Sequence, residues 1–171
     1  MIMILKPLII YYSKTGTTAK IAEIVLPIIK AESRRLGESK GLMGRLKLGG
    51  FFRRDDAVNE PDTIIDEFDP IILLTPVREG KPSSAMIEFL EKIDLKGKRV
   101  VLGLVGKNET NPKALDKLRH MAMERGCSFI ETIYLRGVLP GRDWTDLKEE
   151  DYLREARRLA EKVSAVSGFS R

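Results

Sequence analysis

Apolar residues in this chain fall into short continuous runs, separated by stretches where apolar positions recur every three or four residues. Leu8 to Tyr12, Ile71 to Leu74, Val100 to Val105 and Phe129 to Leu135 are the four runs. Strands sandwiched between helices read this way, because neither face of the strand meets water. The helical stretches lie between and after the runs. Ala85 to Ile93 follows Pro82 and Ser83. Pro112 to Arg125 opens on Asn111-Pro112, a good cap followed by proline at the first helical position, and ends at Gly126. A last helix places Tyr152, Ala156, Leu159 and Val163 on one stripe. This alternation predicts a doubly wound α/β fold, a three-layer sandwich whose parallel sheet is joined by right-handed crossovers.

The pattern is weakest from Thr17 to Pro61. A helix is expected to start at Thr17 and run through Ile21, Ala22 and Val25, with Pro27 kinking or ending it. Ile28 to Ser33 is the best candidate for the missing strand. Gly41 to Phe52 reads as a short amphipathic helix, with Leu42, Met43, Leu46 and the Phe51-Phe52 pair available to pack.

Composition narrows the class. The chain has 171 residues, 43% hydrophobic, enough for one core, and residues 1–171 are read as a single domain. No apolar run reaches the ~18 residues of a membrane span. The apolar start, with Pro7 and no small-residue cleavage site, reads as a strand rather than a signal peptide. A single cysteine, Cys127, and a single histidine, His120, leave no internal disulfide, no multi-cysteine cluster and no paired-histidine metal site. A reducing cytoplasm fits this composition. Charged residues reach 32% and glutamine is absent, a thermophile signature.

Charge is unevenly spread. Net charge is +5, yet Arg34 to Arg54 holds seven basic residues (Arg34, Arg35, Lys40, Arg45, Lys47, Arg53, Arg54) and one acid, Glu38. The rest of the chain is close to neutral, so this is a local patch. It has no aromatic interleaving and no nucleic-acid motif, which argues against nucleic-acid binding.

The most specific signal is Ser13-Lys14-Thr15-Gly16-Thr17-Thr18, which leaves the first strand and opens the first helix. Hydroxyls, a glycine turn and a helix N-terminus converge there, and first-turn amides with the helix dipole favour a phosphate. Gly16 lets backbone approach an anion closely. Lys14 is expected to point outward. A plain Ser/Thr-capped helix start would use the same residues. The chain has no G-x-x-x-x-G-K-[ST], no G-x-G-x-x-G and no G-x-S-x-G. A receiver domain would need acids after the first strand and an aspartate ending the third, where Ser13 and Thr75 stand.

These residues bring the chain close to a known family. IIYYSKTGTTAKIAE resembles the strand, phosphate loop and helix of flavodoxins. FDPIILLTPVREGKPSSAMIEFLE is similar to their second flavin-contacting segment, a loop after the third strand. The resemblance covers about residues 6 to 165. It implies a five-stranded sheet of order 2-1-3-4-5 with noncovalent FMN at the carboxyl ends of the strands. By resemblance, Ser13, Lys14, Thr15, Gly16, Thr17 and Thr18 form the phosphate site. Thr75, Pro76, Val77, Arg78 and Gly80 line the isoalloxazine, and Val105, Gly106, Lys107 and Asn108 form a second ring-facing loop.

Three departures stand out. Arg78 replaces the aromatic expected in the Thr75–Gly80 loop, and a guanidinium plane can stack in its place. Gly106-Lys107-Asn108-Glu109 lacks the usual glycine pair and tyrosine. The chain is basic, where electron-carrier flavodoxins are typically acidic. Cations at Arg78 and Lys107 would favour a reduced, anionic flavin. No residue reads as an acid–base catalyst, so two roles stay open under the resemblance: electron carrier, or NAD(P)H- or quinone-linked reductase. A different class also stays open, a flavodoxin-like binding module that has lost FMN or takes another phosphorylated ligand. The basic insert covers the flavin through Phe51 or Phe52, docks an acidic redox partner, lies on an anionic membrane surface, or is a solvated helix.

Overall fold

The computed structural model describes residues 5–37, 65–107, 112–137 and 147–168. Its elements are β1 (Lys6–Tyr11), α1 (Thr17–Ile29), β2 (Glu32–Arg35), β3 (Phe68–Arg78), β4 (Lys81–Pro82), α2 (Ser84–Leu90), β5 (Arg99–Gly106), α3 (Pro112–Glu124), β6 (Phe129–Arg136) and α4 (Glu149–Gly168). The Gly41–Phe52 helix, Asn108 and Asn111, and Trp144 lie outside the described residues.

Five strands run parallel in the order β2-β1-β3-β5-β6, and short β4 pairs antiparallel with the end of β3. With β4 set aside, this is the expected 2-1-3-4-5 order. Leu8 faces Ile71 in register, and Ile71 faces Val100. The pleat sends alternate residues to opposite layers. Leu8, Ile10, Ile71, Leu73, Val100 and Leu102 join one core with Met86, Phe89 and Leu118 from α2 and α3. Ile9, Tyr11, Ile72, Leu74, Val101 and Val105 join the other with Ile21, Val25, Leu159 and Val163 from α1 and α4. Both faces of the central strands are therefore covered, which is why they are continuously apolar. Truncating one of these fully buried side chains to alanine costs about 2–5 kcal/mol. Gly103 shows how tightly the layers meet: a Cβ there would collide with the Leu74 side chain.

Two expectations are corrected. Helix α1 passes through Pro27 and ends at Ile29. Pro27 stands in the last turn, so its missing amide costs little, while Ile21, Ala22 and Val25 hold the buried face on the sheet. Lys30, at φ 53°, closes the helix by returning its amide to the Leu26 carbonyl, and the Ala31 amide does the same. The second strand is Glu32–Arg35, not Ile28–Ser33, and Ile28 sits exposed on the helix. Strand β2 has an outer position and its residues are half-buried or, at Arg35, exposed, so it can carry Glu-Ser-Arg-Arg without an apolar signature. Leu36 follows it into the core and donates its amide to the Tyr11 carbonyl at 2.8 Å. No helix among the described residues is long and apolar enough to cross a membrane.

The amino end of the sheet is tied by charge. Arg99 donates Nε to Asp69 Oδ2 at 3.0 Å, its own amide to Asp69 Oδ1 at 3.0 Å, and Nη1 to the Val166 carbonyl at 2.8 Å. Lys98 Nζ donates to the carbonyls of Asp66 and Phe68. The Asp69–Pro70 bond that follows is cis.

Candidate functional site

All five parallel strands deliver their carboxyl ends to one edge. The chain leaves β1 for β2 on one side and later returns to β3 on the other, so the edge between β1 and β3 is the topological switch point, where doubly wound sheets bind ligands.

The Ser13–Thr18 segment lies there. Ser13 is 4% exposed, and its hydroxyl accepts the Gly16 amide at 3.1 Å, closing a tight turn. Gly16 is the N-cap of α1 at φ 94° with no atom within 4 Å of a would-be Cβ, so glycine is needed for its conformation rather than for space. No side chain caps α1. A helix start normally acquires such a cap, because its first amides have no intrahelical partner. Thr17 and Thr18 are buried, whereas Lys14, Thr15 and Gly16 are exposed, Lys14 as expected. The turn is held from outside as well: Arg35 Nη2 on β2 donates to the Ser13 carbonyl at 2.6 Å.

The Thr75–Gly80 segment is not the loop expected. Strand β3 continues through Arg78 and turns at Glu79 and Gly80 into β4, pairing Val77 with Pro82 and Arg78 with Lys81. Glu79 (φ 49°) and Gly80 (φ 75°) both take positive φ, the mark of a two-residue primed hairpin turn. Thr75, 1% exposed, shares a hydroxyl–hydroxyl hydrogen bond with Ser83 Oγ at 2.8 Å and accepts the Ser83 amide at 3.2 Å. Ser83 in turn caps α2 through the Met86 amide. Thr75 thus anchors α2 at this edge. Pro76 and Val77 are half-buried, and Arg78 is exposed beside the edge.

The third segment begins inside β5. Val105 is 2% exposed and packs in the α1–α4 core, so it supports the edge rather than facing a ligand through its side chain. Gly106 ends the strand half-buried, and Lys107 is exposed. Of the remaining candidates, His120 is exposed on α3 within 3.2 Å of Glu124, and Cys127 is half-buried, with burial pushing its thiol pKa up. Both lie away from this edge.

Three contributors were not singled out from sequence. Arg35 counted only as part of the basic patch, yet it supports the Ser13 turn. Its neighbour Arg34 is also engaged, donating to Glu32 and to the Ser33 carbonyl. Gly137 follows β6, and its amide bonds the Gly106 carbonyl at 2.7 Å. A Cβ there would stand 2.5 Å from Val105 Cγ1 and 3.1 Å from Thr17 Cγ2, so the β6 end presses against the start of α1. A glycine immediately after the last strand was the available signal. Glu155, 4% exposed on α4, accepts the Arg136 amide at 2.9 Å and Arg158 Nη1 at 2.6 Å, fixing that same strand end. Nothing in its helical spacing indicates this.

No family profile and no curated protein matches the chain. Solved structures do. Flavodoxin 2 from Bacillus cereus, in its oxidised form, matches with a TM-score of 0.56 and 21% identity over 94% of this chain and 98% of that one. General stress protein 14 from Treponema denticola, solved in complex with FMN, matches at 0.62 and 12% identity over 94% and 99%. An NADH:FMN oxidoreductase in its apo form matches at 0.62 and 17% identity over 96% and 89%. With the sheet order, the layer arrangement and the strand–turn–helix at β1 already established, these matches show that the chain has the flavodoxin-like fold.

Proposed function

We propose that the chain binds FMN at the carboxyl edge of its sheet and acts in electron transfer. One observation carries this reading: an α1 N-terminus without a side-chain cap, opened by a left-handed glycine, at the switch point between β1 and β3. A phosphate ester would supply the acceptors that the missing cap does not. Ser13, Gly16, Thr17 and Thr18 would hold it, with Arg35 keeping the turn in shape. The hairpin end at Thr75–Arg78 and the Gly106–Lys107 end of β5 would border the ring. When bound, FMN supplies the electron-accepting and electron-donating chemistry that no side chain here offers. The chain's own part is to bind and orient it, and the cations Arg78 and Lys107 favour added negative charge. The matches to flavodoxin and to an NADH:FMN oxidoreductase support both an electron carrier and a reductase using NAD(P)H or a quinone.

The test is a visible spectrum and fluorescence titration of the purified chain with FMN and, separately, with riboflavin. Quenched flavin emission, with FMN binding at least about tenfold tighter than riboflavin, supports the reading, since a charge-assisted phosphate contact is worth roughly 1.5–3 kcal/mol. Equal affinity would remove the phosphate site from it. A chain that ignores both ligands would favour the second reading, a binding module for another phosphorylated ligand. That reading draws on the same uncapped helix and on the absence of the expected ring-stacking aromatic at Arg78.

A further inference from the structure

Arg78 and Arg136 end β3 and β6, Lys14 and Lys107 follow β1 and β5, and β4 adds Lys81. All five are exposed. Against them, among the described residues of these strand ends and turns, stands one acid, Glu79. Among the described residues, Lys14, Arg78, Lys81 and Arg136 enter no ion pair. Of the three acids at the start of α4, Glu149 is engaged with Lys20 and Asp151 with Arg154 and the Lys148 amide, while Glu150 is exposed and pairs with none of these cations among the described residues.

The hairpin sharpens the point. Arg78 and Lys81 are direct partners across the β3–β4 ladder, and like charges placed opposite one another are destabilising. Glu79 adds a second local cost, a residue with a Cβ at positive φ. A fold optimised for its own stability would place an acid at Lys81. Two such costs at one exposed tip point to an interaction made outside the chain.

We propose that Lys14, Arg78, Lys81 and Arg136 form the docking rim for an acidic protein, with the β3–β4 hairpin as its leading edge. The geometry selects a protein surface. Neighbouring strands are about 4.8 Å apart, so from β1 to β6 the cations spread over ~14 Å. The pyrophosphate of a nicotinamide nucleotide presents its charge at one point, whereas an acidic protein face presents charge over that whole width. Glu79 at the tip, with no aromatic among the rim residues, is unsuited to a nucleic-acid strand. Docking here would bring the partner to the edge where FMN is placed. The partner's role as electron donor or acceptor rests on that FMN reading, but the docking itself does not.

The test is calorimetric titration of the full chain with an acidic [2Fe–2S] ferredoxin as probe, at about 20 and about 200 mM salt, which bracket the ~10 Å screening length of 0.1 M solutions. Binding is expected to weaken about tenfold or more between the two salts. K81E/R136E is expected to bind at least about tenfold more weakly at low salt, and K117E/R119E, the same charge change on exposed α3 positions, within about twofold of the parent. Equal loss in both variants, or binding that ignores salt and K81E/R136E alike, overturns the proposal. So does a single-stranded oligonucleotide bound more tightly than ferredoxin, or a K81E/R136E chain that loses NADH binding while keeping ferredoxin. FMN is titrated into the parent in parallel. If FMN fails to bind while ferredoxin docks at the rim, the functional reading falls and the docking surface stands.

Discussion

The two ends of the sheet treat charge in opposite ways. At the amino end, Lys6 meets Glu32, Lys98 reaches two carbonyls, and Arg99 bonds both oxygens of Asp69 and the end of α4. At the carboxyl end, Lys14, Arg78, Lys81 and Arg136 extend outward with no acid paired to them among the described residues. Side chains bond backbone groups at both ends; the carboxyl end also holds the uncapped start of α1 and the positive-φ Glu79–Gly80 hairpin, while the amino end turns at Gly97 and Gly126. Charges that find partners inside the chain serve the fold, and charges left outward at the strand-end edge are available to a ligand. Arg35 is the instructive exception, an exposed carboxyl-end cation that nonetheless donates to the Ser13 carbonyl.

The largest expected effect breaks the amino end. Arg99→Ala strands a half-buried Asp69 carboxylate and the Val166 carbonyl, and should cost about 2–3 kcal/mol in urea unfolding. FMN affinity should stay within about twofold, because the two ends are independent sites. A large loss of FMN affinity at full stability would erase the division. Next comes Gly137→Ala, which forces a methyl against buried Val105 and Thr17. Overpacking of this kind costs about 1–3 kcal/mol, and the displaced Thr17 should weaken FMN binding as well. Unchanged stability and affinity would show that the β6 end does not press on the α1 start.

Arg35→Ala should act on binding more than on folding. Losing one charge-assisted bond to the Ser13 carbonyl should weaken FMN about tenfold while riboflavin affinity changes little. Equal loss for both ligands would assign Arg35 a general structural role. The smallest effect concerns pH. The Lys6 hydrogen bond, helped by Arg34, holds the Glu32 carboxyl below its ordinary pKa. Its folded value lies below its unfolded one, so the contribution is complete above the unfolded value and is lost as pH falls through the folded value. Solvent screening keeps it under about 0.5 kcal/mol. Glu32→Gln should therefore flatten the acid limb of the stability curve only slightly, and a marked change would mean the amino-end pairs are worth more than exposed ion pairs usually are.

Much of the site was legible because it is local. Ser13 to Thr18 is a contiguous segment whose strand, turn and helix start follow from neighbouring residues, and Gly16 announces its own left-handed cap. The Arg78-Glu79-Gly80-Lys81 hairpin was less legible. Thr75 to Gly80 reads equally as a loop, and only the antiparallel partner Lys81–Pro82 turns it into strand. Strand β2 escaped because a partly buried outer strand needs no apolar alternation, so Glu32–Arg35 looked like polar connection. Pro27 misled because a helix-breaking residue in a last turn is outvoted by a buried face.

By itself the sequence determined the layer order, the buried strands and the glycine turn that opens α1, since each depends on periodicity or on the conformational freedom of one residue. Tertiary structure alone decided which charges are spent inside the fold. Arg34 and Arg35 look alike as neighbours of a basic run, yet one pairs with Glu32 and the other holds the Ser13 turn. Glu155 reads as a helix-surface acid but is buried against the end of β6. The Arg34–Glu32 pair is local, but the Arg35–Ser13 and Glu155–Arg136 bonds join residues far apart in the chain, and such a bond exists only when the packed sheet and helices bring its two halves within a few ångströms.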